Sequence, residues 1–397
     1  MRGRLWVVGL LLLVTRLAHA DGQGDEYAAQ VKLMFRIAAC GNTTDAVPER
    51  LSEHSITGHC QRMNRIYAGY KKAWVDKAKP FIAKLRPTDV PATVVYPFGG
   101  GDLSSALTVY PDATEITTIS LEAAGDVRAV DSIDQKRLDA DLDAISKDIN
   151  RLYKAAHSTT QSLQQASHSI LPGTIMFALA GLAVHDMEPV QLRYFDLEKD
   201  GTLHYLTAKE MDDRAEKIGR PYRTKKKWVE HFWYEQHSAF GNVEIQFRPR
   251  GDTKAAVRTY RHILANLDDK HMKDDDRVLK HLASKGKVAV MTKAASFLLW
   301  WDDFSQIRDY LLANTQWMIS DASGIPLRYA EKAGYELVTY GDFAGPYFTQ
   351  DPIGARKEFI KLWAEEPHRD LPFRFGYPDK DKKNHLMVMQ PKARAKS

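Results

Sequence analysis

The chain has 397 residues, with 56 Lys and Arg against 51 Asp and Glu, a formal charge of +5 at neutral pH. Apolar residues make up 44% of it, enough for a sizeable core, which excludes a generally disordered chain. Two cysteines exclude a cysteine-built zinc cluster or an iron–sulfur centre.

The first 20 residues hold Arg2, Arg4 and Arg16 and no acid, so the remainder carries 53 basic against 51 acidic side chains. A balance that close to neutral gives no reason to expect nucleic acid as a partner. Arg2 and Arg4 precede an apolar run from Leu5 to Val14, and Ala18-His19-Ala20 ends the segment. This is the pattern of a secretory signal peptide, with cleavage expected after Ala20. Arg16 keeps the run below the ~20 apolar residues that a membrane-spanning helix needs. No later stretch is long enough either, and the best, Ile175 to Val184, reads as a buried core helix. The expected location is therefore outside the cytoplasm, periplasmic or secreted, with no transmembrane segment after signal removal.

Residues 21–90 read as an N-terminal helical segment. Tyr27 to Ala39 places Tyr27, Val31, Met34, Phe35 and Ala38 on one face, and Gln61 to Leu85 forms a second helix. Cys40 and Cys60 lie at the edges of these helices, and in an oxidising compartment they are expected to pair. Asn42-Thr43-Thr44 is a glycosylation sequon, meaningful in a eukaryotic host.

The body, residues 91–390, alternates strands and helices, which predicts an α/β fold with a mixed, largely parallel sheet and flanking helices. Thr93 to Phe98 is a strand, Gly99-Gly100-Gly101 a break, and Asp102 an N-cap for a helix to Tyr110. Glu115 to Leu121 is a second strand, ending at Glu122. Such a strand–turn–helix–strand unit pairs its strands in parallel. An amphipathic helix follows over Ile133 to Leu152, then the apolar helix. Val190 to Leu197 and Leu203 to Leu206 flank Asp200-Gly201 as a hairpin. Val243 to Phe247 is a strand, and Val257 to Leu267 and Arg277 to Leu282 are expected to be helical. Val288 to Met291 is a strand before helices at Ala294 to Trp301 and Phe304 to Leu312. Tyr335 to Tyr340 is a strand, Glu358 to Trp363 a helix, and short strands are expected near Phe373 and Met387. Residues 391–397 form a basic tail.

The Gly-rich turn is the first candidate site. V-V-Y-P-F-G-G-G-D-L, with Glu122 20 residues beyond Asp102, resembles the first unit of a Rossmann or class I methyltransferase domain over about 30 residues. That resemblance implies a cofactor over the turn and an acid for a ribose hydroxyl. The residues depart from it. The spacing is not G-x-G-x-x-G, and Asp102 puts a negative charge where a phosphate would sit. No cofactor is therefore expected. Tyr96, Gly99, Gly100, Gly101, Asp102 and Glu122 are instead taken as a ligand-binding set, for a ligand that is neutral or cationic.

Y-P-F-G-G-G-D at Tyr96 to Asp102 is also similar to an element of a family of exported bacterial proteins of uncharacterised function. A-A-S-F-L-L, F-S-Q-I-R and D-A-S-G-I-P, between Lys293 and Pro326, resemble a second shared element. The likeness spans most of residues 90–345 and implies no activity.

Other motifs favour ordinary readings. Asp196, Glu198, Asp200 and Gly201 mimic half an EF-hand loop, but position 12 is Thr207, and a D-G hairpin explains them. His231, Glu235 and His237 lack the paired His spacing of a zinc helix, so no metal is expected. Ser323 lacks the G-x-S-x-G elbow of a nucleophile. The basic run at Lys217, Arg220, Arg223 and Lys225 to Lys227 reads as a solvated loop, Arg250-Gly251-Asp252 as chance, and Trp300-Trp301 as core. The sequence thus predicts an exported α/β protein that binds a small molecule or a protein at the cleft beside Gly99 to Asp102. The alternatives are an exported hydrolase with carboxylates near that cleft, and a methyltransferase-like fold that no longer uses its cofactor.

Overall fold

A computed structural model describes residues 24, 26–41, 44–155, 171–218, 240–293, 295–321, 324–343, 354–376 and 384–392. The signal segment, the basic run from 219 onward, His231, Glu235, His237 and Ser323 lie outside the described residues, as do Asn42 and Thr43 of the sequon and all but the first two residues of the basic tail.

The chain builds one sheet of ten strands with helices on both faces, so the α/β class holds. The strands are β1 (Thr93–Pro97), β2 (Glu115–Ser120), β3 (Met187–Leu197), β4 (Leu203–Tyr205) and β5 (Val243–Pro249), then β6 (Arg258–Leu264), β7 (Val288–Met291), β8 (Thr315–Ser320), β9 (Tyr335–Gly341) and β10 (His385–Pro391). Their order across the sheet is β4-β3-β5-β6-β2-β1-β7-β8-β10-β9. The central five, β6-β2-β1-β7-β8, are mutually parallel, and β5 and β10 run antiparallel on either side. This centre has the 3-2-1-4-5 order of a doubly wound sheet, which reverses direction between β1 and β7.

Strand polarity follows from burial. Val94 to Pro97 are all buried, as a central parallel strand requires. Val94 and Tyr96 face one core and Val95 the other. The first core is roofed by α1 (Ala28–Ile37), α2 (Glu53–Tyr70), α3 (Asp76–Leu85) and α4 (Leu103–Val109), with α5 (Ala129–Ser132), α6 (Gln135–Ala155) and α7 (Gly173–Val184). The N-terminal helices thus share one core with a sheet face. After α8 (Ala208–Ile218), the second core is roofed by α9 (Asp269–Asp274), α10 (Arg277–Ala283), α11 (Ser305–Asn314), α12 (Leu327–Lys332) and α13 (Ala355–Glu365). Among the described residues no helix is long and apolar enough to cross a membrane.

Most local expectations hold. Asp102 caps α4, the Asp200-Gly201 turn closes β3 onto β4, and Cys40 is bonded to Cys60 with Cα atoms 5.2 Å apart. The helix expected over Gln61 to Leu85 starts earlier and holds a π-turn at Lys71–Val75 between α2 and α3. Two expectations fail. Val257 to Leu267 is not a helix but contains β6, and no strand forms around Phe373. Strand β8 and helix α8 were not anticipated. The spacing of Val257, Tyr260, Ile263 and Leu267 imitates a helix, but pairing with β2 and β5 decides the outcome.

That pairing aligns a row of charges. Glu244 of β5 accepts hydrogen bonds from Arg193 of β3 at 2.8 Å, from Arg261 of β6 at 2.8 Å and from the Tyr205 hydroxyl at 2.8 Å. Arg261 also reaches Glu115 of β2 at 3.0 Å, and Glu115 pairs with Lys285. Burial alone would raise the Glu115 carboxyl, but Arg261 and Lys285 outweigh it and hold it at about 2.

Helix α7 is buried throughout and crosses α4 at close range. A Cβ on Gly181 would meet the Ser104 backbone nitrogen at 2.8 Å. Gly181→Ala should therefore lower stability by about 1–3 kcal/mol through overpacking, despite alanine's better helix propensity, as chemical denaturation would show. Removing the bridge with Cys40→Ser and Cys60→Ser should cost about 3 kcal/mol in the same assay. Because the Glu115 carboxyl is depressed in the folded chain, its contribution is present above its ordinary value near 4.5 and is lost as pH falls toward 2. Denaturation at stepped pH should show that loss, and Glu115→Gln should flatten it.

Candidate functional site

The crevice lies where the sheet order reverses. The loop leaving β1 carries Phe98, the three glycines and Asp102, and the loop leaving β7 carries Thr292 and Lys293. Phe98 has φ of 60°, a left-handed conformation costly for a side chain with a Cβ, and its ring packs edge-on against Phe304 at 6.0 Å. The chain turns sharply there so that Asp102 can open α4.

Asp102 organises the crevice. One carboxylate oxygen accepts the Ser105 N–H at 3.2 Å, the cap at the start of α4. The other accepts the Tyr96 hydroxyl at 3.2 Å and lies 3.8 Å from Lys293 Nζ. Lys293 also donates to Ser105 Oγ at 3.4 Å, and its ammonium sits 5.5 Å from the Trp74 ring centre and 5.8 Å from that of Phe375. Both charged side chains are more than nine-tenths buried.

Above this pair is a cavity of about 90 Å³, walled by Tyr70, Trp74, Leu152, Tyr153 and Phe177. Tyr70 stacks with Tyr153 at 4.0 Å and with Trp74 at 5.6 Å. Burial pushes the Tyr70 and Tyr153 hydroxyls well above the usual phenol range. The Tyr153 hydroxyl, buried near Ser104, has no hydrogen-bond partner among the described residues. The cavity adjoins a groove of about 850 Å³ between α2 and α6, sharing Tyr70, Ala73, Tyr153, Lys154 and Arg374 with it.

The sequence-derived set is only partly assembled here. Tyr96 and Asp102 meet, and Asp102 lines the cavity. Gly99, Gly100 and Gly101 are buried beneath the fold. A Cβ on Gly101 would meet the Thr174 carbonyl at 2.6 Å, so what approaches that backbone is the start of α7. Glu122 belongs to a different cluster. Its carbonyl accepts from His262 Nε2 at 2.6 Å, and one of its carboxylate oxygens is buried with no partner among the described residues. A chain of contacts links it back to the turn through Thr118 and Tyr260, whose hydroxyl donates to the Gly100 carbonyl at 3.3 Å. Asp102 and Glu122 are therefore not a pair of carboxylates facing one cavity.

Sequence reasoning missed Lys293, Tyr70, Trp74, Tyr153 and Arg374. Lys293 follows a strand just as Asp102 follows β1, but only the β1–β7 pairing brings the two together. The lining carries charge of both signs. Lys293 offsets Asp102, and the outer groove is bordered by cations, which does not suit a cationic ligand. A second cavity of about 320 Å³ lies beyond β3 and β6, and two of its acids are already engaged, Asp275 by Arg277 and Asp196 by Arg214.

No protein-family model matches the chain, and no curated protein or solved structure shows significant similarity to it. The reading of the crevice rests on its geometry.

Asp102→Asn keeps a cap acceptor but leaves Lys293 buried without its carboxylate. It should lower stability by about 3 kcal/mol. Lys293→Met in the same chain should recover most of that loss, measured by denaturation of the single and double variants.

Proposed function

We propose that this chain is an exported binding protein whose ligand enters the crevice over Asp102 and Lys293. The observation that carries the reading is where that pair stands. Ligands of open α/β sheets gather outside the carboxyl ends of the strands, at the point where strand order reverses. The loops after β1 and β7 flank that point, and a cavity opens above the two side chains they supply. An apolar wall with a few convergent polar groups is the usual make-up of a small-molecule site. The unpartnered Tyr153 hydroxyl supports the reading, since a buried donor without an acceptor is costly unless something supplies one. Export agrees with the Cys40–Cys60 bridge, because disulfides persist in oxidising compartments.

The carboxylate hydrolase reading has less support, since it needs two acids within reach across one pocket. The cofactor-free methyltransferase-like reading shares the central strand order and differs in what the crevice retains.

Ala73 is exposed on the rim shared by cavity and groove, so Ala73→Trp should obstruct the entrance without disturbing the core. A thermal-shift screen of monosaccharides, amino acids and small carboxylates should give compounds that raise the wild-type melting temperature and leave Ala73→Trp unmoved. Compounds that stabilise both proteins equally would place binding elsewhere and defeat the proposal.

A further inference from the structure

We infer that the groove between α2 and α6 takes an acidic oligosaccharide, with its carboxylates on the groove cations and one end in the cavity over Lys293. The inference rests on the crevice being a binding site and adds the class of ligand.

Charge is the first argument. Five cations line the groove, Arg62, Arg65, Lys147, Lys154 and Arg374, against one acid, Asp143. Asp143 is already held by Lys147 at 2.6 Å. Arg65, Lys154 and Arg374 are exposed and make no ion pair among the described residues. A nearly neutral chain has thus concentrated unpaired positive charge along one groove, and a guanidinium presents a fork that fits a carboxylate.

The cavity supplies the second argument. Its floor is charge-balanced and its polar groups include the hydroxyls of Ser105, Tyr70 and Tyr153. The Tyr153 hydroxyl is buried and lacks a partner among the described residues. Hydroxyls that donate and accept suit a polyhydroxylated ligand, which does the same. The cavity is large enough for a few water-sized groups, so it takes an end and leaves the rest of the chain in the groove.

The third argument separates sugars from single-stranded nucleic acid. Nucleobases need free aromatic faces to stack on. Here Tyr70 stacks with Tyr153 at 4.0 Å and with Trp74 at 5.6 Å, and the Lys293 ammonium lies 5.5 Å from the Trp74 ring centre. With these rings engaged by one another and by Lys293, the cavity's hydroxyls favour hydrogen bonding over base stacking.

The test is titration calorimetry of the full mature chain with tetragalacturonate, a glucuronate-containing tetrasaccharide, maltotetraose and an eight-nucleotide oligothymidylate. At least one acidic tetrasaccharide should bind, and its affinity should fall as salt rises. The Arg65→Ala/Arg374→Ala variant should bind it at least tenfold more weakly, with an unchanged melting temperature because both side chains are exposed and unpaired. Tyr153→Phe, which removes a buried hydroxyl from the cavity, should also weaken it. Binding of maltotetraose as tight as that of the acidic sugars overturns the charge argument and leaves the crevice reading intact. Preferential binding of the oligonucleotide overturns the sugar class. Binding of neither acidic tetrasaccharide overturns the inference, and only the added absence of Ala73-dependent thermal-shift compounds would overturn the crevice as well. Acidic-sugar binding indifferent to the arginine and Tyr153 variants would also overturn it.

Discussion

The Asp102 carboxylate joins three parts of the fold, the end of β1, the start of α4 and the loop after β7. One oxygen starts α4, and the other ties the end of β1, through Tyr96, to the loop after β7, through Lys293. A buried carboxylate facing a buried ammonium is tolerable only when both keep further partners, and each does. The arrangement fixes where α4 begins. That in turn fixes how α7 can cross it, because Gly181 and Gly101 leave only enough room for bare backbone. The position of the cavity follows, since Phe177 on α7 forms one of its walls.

Local signals in the sequence were reliable where one short segment determines its own structure. The glycine break, the cap at Asp102, the Asp200-Gly201 turn and the paired cysteines are of this kind. Strand β6 was misread for a physical reason. Its apolar residues recur every three or four positions, while Arg261 and His262 occupy places that an isolated strand would leave to apolar side chains. They are tolerated because neighbouring strands supply partners, Glu244 and Glu115 for Arg261 and Thr118 and Glu122 for His262. Strand β8 follows α11 without a glycine or proline between them, so no break announced it.

The candidate site was half legible for the same reason. Asp102 stands out because its neighbours form a recognisable turn. Lys293 stands in V-A-V-M-T-K-A-A-S with nothing to distinguish it. Its significance comes from β7 lying beside β1, a contact between residues almost two hundred positions apart. Glu122 illustrates the converse error. The spacing that singled it out was correct along the chain, but its backbone carbonyl is held by His262 of β6, away from Asp102.

The π-turn at Lys71–Val75 gives one continuous rod two separate duties. Before it, α2 runs along α6 and carries Arg62, Arg65 and Tyr70 toward the groove; after it, α3 lies against α4. A π-turn is in effect one extra residue in an α-helix, and each residue advances the helix by about 100°. Loss of a single codon in this stretch would rotate the first part of the rod by that angle relative to the second. The aromatic wall and two groove cations would swing away together, and with them Ile56, Cys60 and Met63, which α2 buries in the core, and the bridge from Cys60 to Cys40. The extra residue thus sets one register for two tasks, holding the apolar face and the bridge of α2 in the core while its later turns line the groove, so a change in length here cannot re-aim the groove without disturbing the core.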